Sequence, residues 1–525
     1  MGSNGFKAVS YVMSCKWADP AMSIRTVPNM TNDPVVNNPL DPGGWVVSIL
    51  MSMKCSIRLQ MRSSAKFMLP VSGAMLLGSC VLGPQPGAPD YPTPDAIRGD
   101  DSPQGASFGD KAWRAVFTDS TLKSLIERAL ANNPDLVAAT YRIEQARAQA
   151  AATGADWFPN IGGGAGASAN YGSRNAGQVA PGGDRSSETY DLTAQLSWEI
   201  DLWGGIRRGN EAARARLLEA EFRRDAVRTS LIAAVASAYI ELRNLDERLA
   251  ISKRTADGRE AALELVTARR DGGVSSELEV GQAEALLGQA RIAIPITERA
   301  IAAKENEIRS LLGDFPGGVG RGAGLDRLES GLRIRGGLPS GLMERRPDVA
   351  AASQAYQAAV AEIGVNEALR LPSLALTGSG GLLSRELDNL LDGNSGTYTV
   401  GPRLAGPIFD AGRGKARVDA ARARAGEALA AHDRAAKQAF REAADSINGH
   451  VKTGEIVAEQ RRLVEANRKV AAVAGDRFQG GQSSYLEVLD AERSLFNAEL
   501  ELADARRNRL LAVVQAYRAL GGGWK

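Results

Sequence analysis

The chain repeats its own sequence once, and this internal duplication constrains the fold more than any other feature. Residues 133–139 recur as residues 346–352, 213 positions further along the chain. Residues 272–280 recur as residues 480–488, at an offset of 208 positions. Chance similarities would not keep both their order and nearly the same spacing. The chain therefore contains one structural unit built twice in tandem.

Both repeats have the same internal plan, which consists of a helix opened by proline, two extended segments, a long helix without proline and a returning helix. Repeat 1 covers residues 111–312 and repeat 2 covers residues 342–521, with a glycine-rich linker at 313–341. The predicted strands are 160–172, 188–200, 373–383 and 397–408, and the predicted helices are 205–271, 275–312, 412–479 and 483–520.

These elements predict a membrane β-structure joined to long helical rods. Residues 189–200 alternate between apolar and polar side chains, which suits a strand that faces lipid on one side, although a strand in a soluble sandwich alternates too. A helix of about 66 residues at ~1.5 Å per residue is a rod of roughly 100 Å. Four strands leave two open edges, which lipid does not tolerate, so two, three or four chains must combine.

The amino-terminal part of the sequence has the pattern of a bacterial lipoprotein signal. Basic residues follow Met61, then comes an apolar run of about ten residues, too short to span a bilayer, and then Leu77-Gly78-Ser79-Cys80. We expect residues 61–79 to be the signal peptide and Cys80 to carry a covalent lipid at the mature amino terminus. Residues 1–60 are expected to be a disordered leader or a mis-assigned start. Residues 80–110, rich in proline and glycine, are expected to be a lipidated tether without its own fold.

Composition and motifs argue against catalysis, cofactors and nucleic acid. The formal net charge is only +2, and three Cys with two His offer little for a metal site. The sequence around Gly414-Lys415 lacks the upstream glycine and the Ser or Thr of a phosphate loop. His432 and His450 have no metal-ligand spacing and are expected on helix surfaces. We therefore predict no enzyme, no metal and no cofactor besides the lipid on Cys80.

Three segments together resemble the TolC-like outer membrane efflux proteins, in particular their NodT/OprM lipoprotein branch. They are residues 338–349 (LPSGLMERRPDV), 196–204 (LSWEIDLWG) and 480–491 (GGQSSYLEVLDA). The resemblance covers nearly the whole chain after Cys80. It implies a homotrimer with four strands per chain in a 12-stranded outer-membrane barrel, continued by an α-helical barrel through the periplasm.

The resemblance also implies a function and its partners. The trimer would be the exit channel of a tripartite efflux system, receiving small molecules or drugs from an inner-membrane pump through a periplasmic adaptor. The lipid signal favours the drug-efflux and small-molecule branch, and the pump is expected to be of the resistance-nodulation-division type. Two alternatives remain open at this stage. One is the outer-membrane tunnel of a type I protein secretion system, and the other is a lipid-anchored periplasmic coiled-coil scaffold.

Two groups of candidate site residues come from the same resemblance. The helix reversals are expected to dock the adaptor, through Gly272, Gly273, Ser275, Gly480, Gly481 and Ser483. Glu487 and Asp490, three residues apart on one helix face, match the acidic periplasmic gate of the family, and Glu279 is the matching position in repeat 1. Ser483 and Phe478 replace the Arg and Tyr of the TolC gate lock, so that lock is not carried over.

Overall fold

A computed structural model describes residues 81–99, 107–176, 183–328, 334–337 and 339–524. The predictions for Cys80, for the signal segment 61–79 and for residues 1–60 lie outside the described residues. Within the described part, no helix is both long and apolar enough to cross a membrane.

Repeat 1 begins with two helices that the sequence analysis did not identify and then follows the expected plan. A capping Asp119 and apolar residues at helical spacing, among them Leu122 and Ile126, form the second of these helices. The elements are α1 (Trp113–Val116), α2 (Ser120–Asn132), α3 (Pro134–Gly154), β1 (Asn160–Tyr171), β2 (Ser186–Ile200), α4 (Gly205–Asp271) and α5 (Glu277–Leu311).

Repeat 2 reproduces this order after a linker that contains two short helices. The linker helices are α6 (Leu325–Leu328) and α7 (Pro339–Arg345). The elements of the repeat are α8 (Pro347–Ala368), β3 (Ser373–Ser384), β4 (Gly396–Ala405), α9 (Arg413–Gln479) and α10 (Tyr485–Ala519). The last strand ends at Ala405, three residues before the predicted end at 408. The two long helices have 67 residues each, which corresponds to rods of about 100 Å.

The four strands form a single antiparallel sheet in the order β1-β2-β3-β4. β2 pairs with β3, with Ile200 opposite Leu374, so the sheet joins the two repeats. β1 and β4 are the edges, and in the described chain each is paired on one side only. Pro402 lies inside β4. Proline has no backbone N–H to donate, and an edge strand tolerates this because it is hydrogen-bonded to a neighbouring strand on one side only.

The helices form a layer that continues the sheet in the same order. Near the strands, the contacts run from α3 to α4, then to α8, then to α9. Towards the other end, α5 packs on α4, and α10 packs on both α4 and α9. α4 and α9 therefore run the whole length of the layer, and the shorter helices pair with one half of it.

The main hydrophobic core lies where the ends of the shorter helices meet. It combines the middle of α4, the amino-terminal helices, the linker and the carboxyl-terminal end of α10. Its fully buried side chains include Phe108, Ile126, Ile232, Tyr239, Leu242, Leu312, Leu342 and Leu520. This core fixes the middle of a long molecule whose remaining length is only a thin helix layer.

The amino-terminal segment 81–99 has no helix or strand, as expected of a tether without its own fold, but it packs against the helices. The Leu82 N–H donates to the Trp203 carbonyl at 3.1 Å, and Ile97 is buried in the main core. The Tyr91 ring lies 5.9 Å from the His432 ring. His432 is consequently buried and not on the helix surface as expected, and this burial lowers its pKa.

The Arg-Pro-Asp segment that carried the resemblance forms an ionic network around a buried arginine. The Arg346 guanidinium donates to both Asp348 oxygens at 2.9 and 2.6 Å, to Glu442 at 2.8 Å and to the Ala519 carbonyl at 3.2 Å. Burial alone would raise the pKa of Asp348 and Glu442, but the hydrogen bonds from Arg346 outweigh it and lower both. The arginine thus joins α8, α9 and the end of α10.

We predict that Arg346→Met destabilises the protein by about 3 kcal/mol at neutral pH. This value is at the lower end of the free-energy cost of breaking a buried ion pair, because the Asp348 side chain is 43% exposed. A carboxyl group with a lowered pKa stabilises the folded state at pH values above its pKa in the unfolded chain, which is 3.8 for Asp348 and 4.5 for Glu442. This stabilisation is lost as the pH falls through the lower pKa values of the folded state. Thermal unfolding across pH should therefore show the variant converging with the wild type in acid. A difference that stays constant with pH would contradict the network's role.

Candidate functional site: the paired helical tips

The two long helices end side by side, and their reversals pack into one structure that we call the tip. A small hydrophobic cluster holds it together and takes residues from α4, α5, α9 and α10. Its buried members are Val266, Val280, Ala283, Ala474, Phe478, Tyr485, Val488 and Ala491. The structure therefore brings the predicted docking residues of both repeats to the same end of the molecule.

The second glycine of each pair is required by the backbone. Gly273 and Gly481 have φ of +74° and +70°, the left-handed region that favours glycine. The N–H of the following residue, Val274 or Gln482, reaches back five residues to a helix carbonyl at 2.8 Å, as in a Schellman helix end.

The first glycine of each pair has an ordinary conformation. Gly272 and Gly480 have φ of −78° and −74°, and a Cβ atom built on either meets nothing closer than 3.5 Å. Both residues are exposed. The turn itself therefore does not require glycine at these two positions.

The serines of the two reversals have different environments from those of the glycines. Ser275 and Ser483 are both half-buried. The Ser483 Oγ atom is buried and has no hydrogen-bond partner among the described residues. The next serine, Ser276, caps α5 with its side chain, while its counterpart Ser484 at the start of α10 makes no such bond.

The three predicted gate acids differ in what they contact. The Glu279 carboxylate accepts the Ser276 N–H at 2.8 Å, while the Ser276 hydroxyl accepts the Glu279 N–H at 3.3 Å, which together form a capping box. Asp490 pairs with Arg493 at 2.9 Å, and both side chains are exposed. Glu487 is exposed and pairs with no cation in the described part of the chain. Of the three, only Glu487 has an uncompensated carboxylate.

A cation–π contact that sequence reasoning missed connects the ends of the two long helices. The Arg269 guanidinium lies 4.7 Å from the centre of the Phe478 ring, and that ring lies 5.3 Å from the Tyr485 ring. Such a contact contributes about 1 kcal/mol. The sequence signal was an arginine in the last turn of one long helix and an aromatic residue in the last turn of the other.

A second group that the sequence did not reveal is a set of buried ionisable side chains above the tip. Arg259 is 2% exposed, donates to the Leu286 carbonyl at 2.7 Å and lies 5.0 Å from the centre of the Phe496 ring. Burial lowers the pKa of Arg259 and raises the pKa of Glu492. The negative charge of Glu492 opposes the shift of Arg259, and the positive charge of Arg259 opposes the shift of Glu492. Burial also raises the pKa of Tyr485 to about 12.

The geometry of the described residues defines a class of protein. The described residues include no group of three or more His, Cys, Asp or Glu side chains that could hold a metal ion. They do include a sheet with two unpaired edge strands, a layer of helical rods about 100 Å long and the tip at the far end of the rods. This combination is that of one subunit of a membrane channel with a long helical extension.

Comparison with known proteins identifies the family within this class. The family model described as outer membrane efflux protein matches residues 125–314 and 338–522, one segment in each repeat. The chain belongs to the outer membrane efflux protein family, and it is a channel component of an efflux system in the outer membrane. This confirms the fold class and the outer-membrane location that the sequence resemblance implied.

Individual relatives are similar over nearly their whole length. The chain is 32% identical to the toluene efflux pump outer membrane protein TtgC of Pseudomonas putida over 463 residues, which is 86% of this chain and 94% of that protein. It is equally similar, with the same coverage, to the antibiotic efflux pump outer membrane protein ArpC of Pseudomonas putida. The solved outer-membrane channel OprN has a TM-score of 0.80 at 32% identity and covers 85% of this chain and 100% of its own.

Proposed function

We propose that three copies of this chain form the exit channel of a tripartite efflux system that discharges small molecules or drugs across the outer membrane. The single observation that carries the proposal is the pair of open sheet edges above a helix layer of the same order. Three sheets of four strands would close into a 12-stranded barrel, and the helix layers would close beneath it into a tunnel. Such a channel performs no chemistry, so we propose no enzymatic activity.

The cargo and partners follow from the relatives and from the shape of the chain. Relatives are named for efflux of toluene and of antibiotics, which favours small organic molecules over secreted proteins for this chain. A periplasmic adaptor would connect the tip to an inner-membrane pump of the resistance-nodulation-division type. Cys80 would carry a lipid that anchors the amino terminus in the same membrane.

The trimer is tested by electrophoresis of outer-membrane fractions. We expect a band that resists SDS at room temperature and shifts to the monomer position on boiling, because unpaired strand edges in lipid cost several kcal/mol per group. A chain that fractionates with the outer membrane only through its lipid, and runs as a monomer without heating, would favour the scaffold alternative.

The tip is proposed to dock the adaptor through its exposed first glycines. Gly272 and Gly480 offer uncovered backbone that the fold itself does not require to be glycine, so a close-approaching partner gives them a role. Gly273 and Gly481, in contrast, have a conformational role. The serines are less suitable for a test, since the Ser483 hydroxyl is buried.

We predict that Gly272→Leu/Gly480→Leu lowers cysteine crosslinking to the adaptor roughly tenfold, equivalent to about 1.4 kcal/mol, because the added side chains occupy the contact surface. The heat-modifiable trimer should persist in this variant. Gly426→Leu is the control, because Gly426 is also an exposed helix glycine with open space around its Cα. Undiminished crosslinking would mean that the glycine pairs are helix reversals only.

The gate is proposed to consist of Glu487 and Asp490 from each chain, with Glu487 as the dominant charge. Trimerisation would place six carboxylates around one aperture and favour cations. Arg493 offsets Asp490, while Glu487 has no such partner in the described chain. Glu279 already serves as a helix cap, which makes a capping role the larger part of its function.

We predict that Glu487→Ala reduces the cation-over-anion permeability ratio of reconstituted channels severalfold, and that Asp490→Ala reduces it less, because Arg493 already offsets that charge. Planar-bilayer reversal potentials measure the ratio. Glu427→Ala, at an exposed acid far from the tip on α9, is the control. Equal selectivity in all three variants would place the selective charges elsewhere.

A further inference from the structure

A cleft of about 720 Å³ that carries several charged side chains lies beside the amino-terminal segment, just below the sheet. Residues 81–86 form one wall, the first turns of α4 form another, and α8 closes the third side. Its charged and amide-bearing lining residues are Gln85, Arg207, Arg208, Glu211, Arg214, Gln354 and Gln357. Neither the channel nor the tip gives this cleft a role.

The amino-terminal wall of the cleft is held rigidly in place. The buried Arg208 donates to the carbonyls of Leu82 and Gly83 at 3.1 and 3.2 Å, and to Glu211 at 2.8 Å. Gly83 has φ of +80°, and a Cβ atom there would lie 2.5 Å from the Gly364 Cα. Arg208 is therefore a structural clamp, and the exposed arginines of the cleft are Arg207 and Arg214.

The position of the cleft identifies the medium that it faces. Arg207 follows the last residue of β2 by seven positions, so it lies within the layer of lipid headgroups if the strands span the membrane, because each headgroup layer is roughly 5–8 Å thick. Arg214 is two turns further along the same helix face, and side chains of α4 tilt towards its amino terminus, which is the membrane side.

The cleft also lies on an accessible face. Residue 81 shares this face and directly follows Cys80, so a lipid on Cys80 could enter the bilayer only if the face points outwards and not into the tunnel. α4 and α8 are the two inner helices of the layer, so a neighbouring copy at the edges would not cover the cleft.

We propose that this cleft binds the phosphate-bearing headgroup of an anionic phospholipid in the periplasmic leaflet of the outer membrane. Arg207 and Arg214 supply the charge, and Gln354 and Gln357 offer amide groups to the headgroup hydroxyls. The orientation of the cleft rests on the proposed membrane position of the strands and on the lipid anchor, while the binding itself is measurable without either efflux or acylation.

The test is native mass spectrometry of the detergent-purified full-length protein titrated with phosphatidylglycerol or phosphatidylethanolamine of equal chain length. The wild type should bind phosphatidylglycerol preferentially. Arg207→Gln/Arg214→Gln should bind it about thirtyfold more weakly, the effect of losing two basic residues near an anionic lipid surface. Arg462→Gln/Lys469→Gln removes two exposed basic residues at the same spacing, ~70 Å along α9 from its start, and should bind like the wild type.

Further measurements distinguish headgroup recognition from other sources of lipid binding, and they distinguish this proposal from the proposed channel function. Soluble glycerophosphoglycerol should compete in the wild type, which shows headgroup recognition, and the Cys80→Ser protein should keep its preference. The Arg207→Gln/Arg214→Gln channel should retain wild-type conductance in planar bilayers, so its lipid defect is distinct from a failure of the channel. No preference in the wild type, or an unchanged affinity in Arg207→Gln/Arg214→Gln, would overturn the proposal.

Discussion

Backbone hydrogen bonding at the two edges of the sheet is the constraint on which the rest of the structure depends. In lipid, every exposed N–H and C=O group on β1 and β4 would be left without a partner, so the chain cannot function there as a monomer. Edge pairing between copies solves this problem only if the sheet curves into a closed barrel. The helix layer has the same order as the strands above it, so closing the barrel brings α3 of one copy beside α9 of the next. A tunnel thus follows from the same pairing that satisfies the strands.

A closed layer one or two helices thick cannot bury large apolar side chains along its whole length. Outside the main core, alanine is the commonest buried apolar residue of the long helices, for example Ala256, Ala425 and Ala474. Small residues let helices approach closely, and specific polar contacts then add stability and fix the alignment of the rods. Arg346 serves this purpose at the middle of the molecule, and Arg259 and Arg269 serve it near the tip. The low aromatic content of the sequence, 5%, is a consequence of this thin architecture.

Much of the fold was predictable because it depends on local signals that occur twice. The absence of proline, the glycine pairs and the strand alternation located the long helices, the reversals and the sheet. The missed features depend on contacts between distant segments, such as the packing of residues 81–99 on helices some hundred or more residues away and the resulting burial of His432. α2 had a local signal, a capping Asp119 before helically spaced apolar residues, and was predictable on the same grounds. For the candidate site, the sequence located the acids of the tip but not their partners.

Glu279 and Glu487 show why partners are harder to predict than positions. Both follow a serine by three residues, so the capping-box pattern predicts the same reciprocal bonds at the start of α5 and of α10. The structure forms the box only in repeat 1, where an exposed Glu277 opens the helix. In repeat 2 the first helical residue is Tyr485, whose ring is buried against Phe478 in the tip cluster. The duplication therefore supplied two equivalent carboxylates, and the divergence of their neighbours left one as a helix cap and the other exposed, without a cation partner in the described chain.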